Sequence, residues 1–154
     1  MAKIWHPNNT VSLDRINKLN RNTVIGYLDI KITHIGDDFI QGTMPVNQKT
    51  IQPQGLLHGG ASLTLAESLA SLGAALYVDM SKYNVVGHGI NANHLRSATK
   101  GIVTGIAKPV YLGGKTQVWE IKIYKSETEF VDETLCCISR MTALRMTRRS
   151  LLSL

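Results

Sequence analysis

Cysteine is scarce in this chain. Its 154 residues include two, Cys136 and Cys137, and they are adjacent. Neighbours on a strand point to opposite faces, so this pair is poorly placed to bridge itself. No C-x-x-C spacing with distant partners offers a metal site. Reduced thiols in a cytoplasmic protein, with no metal, are the expectation. Tryptophan and phenylalanine are equally sparse, two of each. Basic and aromatic residues do not interleave, which argues against nucleic acid as a partner despite a net charge of +6. That excess suits either the phosphates of a nucleotide or plain solubility, and Arg145, Arg148 and Arg149 supply part of it. Charged residues make up 18% of the chain, a modest share that agrees with surface hidden in an oligomer. The N-terminus has no apolar signal core. The longest apolar stretch, 61–78, is interrupted by Glu67, three serines, Thr64 and Gly73, which suits a helix buried in protein and not a membrane span.

Glu67 stands out in that stretch as its one charged side chain. A helix this apolar is expected to be buried on most of its surface, and a carboxylate there loses hydration unless the protein supplies partners. Perturbed buried carboxylates are functional-site candidates. Just upstream, Gln52, His58, Gly59 and Gly60 supply an amide, an imidazole and a glycine pair at the helix entrance. An acid or base facing hydrogen-bond donors suits acyl chemistry.

At this length one domain with a real core is expected. A short helix is predicted over 11–19, capped by Thr10. Period-two alternation predicts a strand from Tyr27 to Thr33, returning through a turn at 36–38 as a strand over 39–46. Pro53 and Gly55 break the loop 47–57. The helix follows over 60–79, then strands over 85–95, 102–110, 116–124 and 134–144. This is an α+β layout, with one long helix on one face of a largely antiparallel sheet. One sheet cannot wrap so apolar a helix, so a second subunit is expected.

The stretch His58-Gly59-Gly60-Ala61-Ser62-Leu63-Thr64-Leu65-Ala66-Glu67-Ser68 resembles the helix motif of hotdog-fold acyl-CoA thioesterases. Thr43 to Val46, Gln52-Pro53, Val85 to Gly87, the run from Ile90 to Ser97, Lys108-Pro109, Gln117 to Trp119 and Cys136-Cys137 are similar to the same branch, that of hydroxybenzoyl-CoA-type and phenylacetate-pathway-type thioesterases. The resemblance covers 26–144, which leaves 1–25 as an N-terminal segment with a short helix and 145–154 as a basic tail. It implies a hotdog fold, in which an antiparallel sheet wraps the long central helix. It further implies a homotetramer built as a dimer of dimers, active sites at the dimer interface, and no metal or redox cofactor. Coenzyme A enters only as part of the substrate.

On that reading Glu67 attacks the thioester carbonyl or activates water, and the Gly59 N–H at the helix entrance receives the oxyanion. Gln52, His58 and Ser71 assist. The plain alternatives are a hydrogen-bonded structural carboxylate for Glu67, a loop amide for Gln52, an N-cap for His58 and a packing residue for Ser71. Gly87, Asn93, His94, Arg96, Ser97, Tyr111, Gly113, Gly114 and Lys115 are the implied substrate and coenzyme A contacts. For these the alternative is exposed charge and an ordinary hairpin turn. The acyl group is expected along the helix near Leu72 and Ala75. The activity implied is hydrolysis of aromatic or medium-chain acyl-CoA. The competing readings are a hotdog hydroxyacyl-thioester dehydratase and a non-catalytic acyl-CoA binding protein. His88 has no assigned role.

Overall fold

The computed structural model describes residues 3–10 and 12–148. Helices α1 (Leu13–Asn20) and α2 (Val24–Tyr27) precede strands β1 (Lys31–Ile35) and β2 (Ile40–Pro45). The long helix α3 (Gly59–Tyr77) follows, then β3 (Tyr83–His94), β4 (Ile102–Leu112), β5 (Thr116–Tyr124) and β6 (Leu135–Thr147). The six strands form one sheet in the order β1-β2-β4-β5-β6-β3, antiparallel at every pairing. Helix α3 packs on one face of it. This is the hotdog arrangement expected above.

Small residues let the helix approach closely. Gly42 and Gly105 are register partners on β2 and β4, and a side-chain carbon on either would lie 2.7 Å from a methyl of Leu69. Leu69 is therefore seated in a slot that two missing side chains create. One turn on, Gly73 faces the indole of Trp119, where an added carbon would lie 2.7 Å from the ring. Trp119 has no room to retreat. Its Nε1 donates to Gln117 Oε1 at 3.0 Å, its ring stacks on Trp5 with centroids 6.4 Å apart, and Gln117 donates in turn to the Ala74 carbonyl. Gly73→Ala gains about 1 kcal/mol of helix propensity but overpacks this site at a cost of about 1–3 kcal/mol. The net effect expected is a fall in Tm of a few degrees, read by thermal unfolding, with α-helical circular dichroism retained.

Several boundaries differ from the sequence reading. Helix α1 begins at Leu13 with Ser12, not Thr10, as its N-cap, the Ser12 hydroxyl accepting from the Arg15 N–H. The strand expected from Tyr27 begins only at Lys31, because Thr23 caps a helical turn over 24–27 and Asp29 takes a left-handed conformation at φ 55°. Strand β6 continues through Thr147, so Arg145 belongs to the sheet and not to a separate tail, while 149–154 lie outside the described residues. The N-terminal segment is part of the domain. The Asn9 amide donates to the Leu76 and Val78 carbonyls at 2.8 and 2.6 Å, and the His6 N–H donates to Leu76, which supplies partners for the otherwise orphaned end of α3. Among the described residues no helix is long and apolar enough to cross a membrane.

Candidate active site

The local chemistry at the start of α3 is selective. His58 is the N-cap, with extended backbone, and its Nδ1 accepts from the Gly60 N–H at 2.8 Å. The His58 carbonyl accepts from Ala61 and Ser62. Among the first amides of the helix, the Gly59 N–H has no partner among the described residues. It sits at the positive end of the helix dipole. His58 thus takes its plain structural role, and the donor it leaves open is its neighbour's.

Gly59 lines a cavity of about 270 Å³ together with Gln52, His94, Arg96 and Ser97. The Gln52 side-chain oxygen accepts from the Gln54 N–H, which turns that oxygen into its own loop and leaves the amide NH₂ as the group able to donate. Its structural role therefore also sets its polarity. A carbon added to Gly59 would lie 2.8 Å from His94 Nε2, so the imidazole rests on the glycine backbone. Arg96 donates through Nη1 to the Leu135 carbonyl at 2.9 Å, which anchors it to the start of β6. Cys136 also lines this cavity. Burial, then the neighbouring Cys137, pushes its thiol up to about 11, so it is protonated at neutral pH and poorly suited to be a nucleophile.

Glu67 lies elsewhere. It borders a larger cavity of about 530 Å³ with Thr64, Ser68, Ser71 and Leu72 on α3. In the isolated chain it is exposed and not buried as its sequence setting suggests, because the sheet covers the Ala66, Leu69, Ala70 and Gly73 side of the helix. Its Oε1 would be 2.5 Å from a carbon placed on Gly87, so the carboxylate lies over the backbone of β3. Neither carboxylate oxygen has a hydrogen-bond partner among the described residues. Ser71 shares the cavity, and its hydroxyl is turned toward Met141 Sδ at 3.8 Å. Ala75 is not on this cavity wall. Its carbonyl faces Asn9, beneath the N-terminal segment, and only the Leu72 half of the expected acyl surface is open.

The remaining expected contacts scatter. Gly113 and Gly114 border a third cavity with Asp79, Lys82 and Arg145. There the Ser81 hydroxyl and N–H hold the Asp79 carboxyl below its ordinary range. Tyr111 and Lys115 are exposed near that turn. Asn93 opens with Asn91, Glu120 and Arg140 onto a separate cavity. Strand alternation sets it on the face opposite His94. Residues of α1, α2 and β1 that line the Glu67 cavity (Ile16, Asn20, Val24, Ile25 and Ile32) escaped the sequence reading. The one available signal was Ile16, buried within the predicted first helix.

The two cavities, one bordered by an acid or base and the other by an open N–H with an amide donor, carry groups that fit hydrolysis of an activated carbonyl. Residues 54–131 match the model of the thioesterase superfamily. The chain is 46% identical over 132 residues to the 1,4-dihydroxy-2-naphthoyl-CoA hydrolase of Escherichia coli, covering 86% of this chain and 93% of that protein. It belongs to the thioesterase superfamily. It is also 40% identical over 143 residues to the proofreading thioesterase EntH of Cronobacter turicensis, covering 93% of this chain and 98% of that one. The crystal structure of a thioesterase from Haemophilus influenzae superposes with a TM-score of 0.84 at 41% identity, over 94% of this chain and 95% of that one. This thioesterase is therefore an acyl-thioester hydrolase by family. Among its described residues no three His, Cys, Asp or Glu side chains gather as a metal site.

Proposed function

We propose that this thioesterase hydrolyses aromatic or medium-chain acyl-CoA to the free acid and coenzyme A, at a site completed by a second copy of the chain. The observation that carries this is the separation of Glu67 from Gly59. They are eight residues apart on one helix, a rise of about 12 Å. A thioester carbonyl needs its attacking group within about 3–3.5 Å and its oxyanion donor about 3 Å from the oxygen. One copy does not bring both to one carbon.

Strand β3 offers the remedy. It lies at the edge of the sheet, its outer hydrogen bonds open, with the Glu67 carboxylate over Gly87 near one end and His94, against Gly59, at the other. We infer antiparallel pairing with the same strand of a second copy in the one register that sets Gly87 opposite His94 and so joins the two cavities. His88 is bulged out of the ladder, since Gly87 and Gly89 pair with the successive residues Ala143 and Thr142. Counting past that bulge, this register sets Gly89 opposite Asn93, Ile90 opposite Ala92, and Asn91 opposite itself. A two-fold axis between antiparallel strands requires such a self-paired residue. Directly opposed residues have Cα atoms about 4.5–5.5 Å apart, within disulfide reach. Asn91→Cys is expected to cross-link to itself on mild oxidation, seen as a dimer on a non-reducing gel, whereas Asn93→Cys alone is not. Cross-linking by Asn93→Cys in place of Asn91→Cys contradicts the register, and failure of both contradicts the edge pairing.

In the assembled site Glu67 of one copy attacks the carbonyl or activates water, while the Gly59 N–H and the Gln52 amide of the other receive the oxygen. No resident cofactor is required. Release of free thiol from benzoyl-CoA and hexanoyl-CoA by the wild type tests the reaction. Binding without thiol release, or elimination of water from a hydroxyacyl-CoA, overturns it in favour of a binding protein or a dehydratase.

A further inference from the structure

The cavity beside Glu67 is walled on one side by α3 and on the other by the α1–α2 hairpin, which lies outside the stretch matched by the family model. Its volume of about 530 Å³ falls in the range, about 300–1,000 Å³, that holds small-molecule groups. A two-carbon acyl group leaves most of it empty. The hairpin is fixed in place. Ile16 is 6% exposed, and the Asn17 amide both donates to the Ile32 carbonyl and accepts from the Ile32 N–H, each at 2.9 Å, which stitches α1 to β1. The turn after α1 is fixed as well, since the Asn20 carbonyl accepts from the Thr23 hydroxyl at 2.7 Å and from the Thr23 N–H at 3.1 Å. That leaves the Asn20 side-chain amide at the cavity wall with no hydrogen-bond partner among the described residues. Around it the hairpin and β1 contribute Ile16, Val24, Ile25 and Ile32, all apolar.

We infer that the α1–α2 hairpin sets the acyl selectivity of this thioesterase, with Asn20 reading a polar substituent on a ring-bearing acyl group. This rests on the hydrolase reading above. An apolar wall with one open amide, in a cavity that Glu67 also borders, favours a flat hydrophobic body that carries a hydroxyl. The amide offers both a donor and an acceptor, so it satisfies a phenolic hydroxyl in either direction. Apolar contacts alone discriminate weakly between an aryl group and its hydroxylated form, whereas a site that hydrogen-bonds the hydroxyl discriminates strongly.

Two variants test the inference, each read as a ratio of kcat/KM values. Asn20→Leu is expected to lower the ratio of ring-hydroxylated benzoyl-CoA to benzoyl-CoA by about tenfold for at least one hydroxyl position. Val24 is 59% exposed, so Val24→Trp folds without strain while its indole occupies the cavity mouth. It is expected to lower the ratio of naphthoyl-CoA to acetyl-CoA by about tenfold or more. Thermal unfolding of both variants is compared with wild type, since a merely structural defect lowers all substrates together and leaves the ratios fixed. Unchanged ratios in both variants, with an active wild type, overturn the selectivity role alone. A wild type that releases no thiol from any acyl-CoA overturns the hydrolase reading and this one with it.

Discussion

Glu67→Gln is expected to lower kcat for acyl-CoA hydrolysis by about 10³-fold, with KM changed far less. The substitution keeps shape and hydrogen-bonding capacity but replaces the carboxylate with an amide that is a far weaker nucleophile and base. General-base contributions of about 10²–10⁴ set the scale. The exposed position of Glu67 in the single chain means that the variant folds. Steady-state thiol release at saturating benzoyl-CoA measures the effect. A loss below about tenfold removes Glu67 from the chemistry, because among the described residues no other carboxylate borders either cavity.

Gly59→Pro has the second largest expected effect, and it isolates a single hydrogen. Proline is well tolerated at the first position of a helix, and His58 already has the extended backbone, φ −67° and ψ 132°, that a residue before proline adopts. Helix α3 therefore survives while the one open N–H at its entrance disappears. Loss of one oxyanion donor costs about 10²–10³ in kcat. Proline also brings side-chain atoms against His94, so Gly59→Ala, which keeps the N–H, separates the two effects. If the alanine variant is as slow as the proline variant, the donor assignment fails.

Mixing the two inactive variants then probes the shared site. A heterodimer of Glu67→Gln with Gly59→Pro contains one site with both lesions and one with neither. Random exchange between equal amounts yields heterodimers as half of the population, and hence about one quarter of the wild-type rate. Sites confined to single chains give no recovery.

The fold was largely legible in the sequence, because its cues are local and periodic. Trp119, Ile121 and Ile123 alternate with Glu120 and Lys122, and that alternation lies within β5, whose bounds, Thr116–Tyr124, are those expected. The long helix was legible from its apolar continuity. The start of β1 was not, since a capping threonine and one left-handed aspartate override the alternation of Leu28, Ile30 and Ile32. The candidate residues were named by type, and only the family resemblance implied that two chains group them. Sequence adjacency joined Gly59 and Glu67 in one motif, while helix rise separates them and the sheet edge offers to rejoin them through another copy. Asn20 was invisible for a similar reason. Its chain neighbours Ile16, Val24 and Ile25 share that cavity, but it meets Glu67 there only because α1 docks on β1.

The concealment of Cys136 bears on how the protein survives its own product. Coenzyme A is a thiol that air or oxidants convert to disulfides, and such disulfides cap accessible protein thiolates. Cys136 borders the hollow that holds Gln52 and Gly59, yet it is 3% exposed and its Sγ donates to the Ile123 carbonyl at 3.2 Å. Exchange proceeds through the thiolate. A sulfur kept protonated and folded inward beside that cavity is inert to such disulfides, and turnover need not be silenced by mixed-disulfide formation.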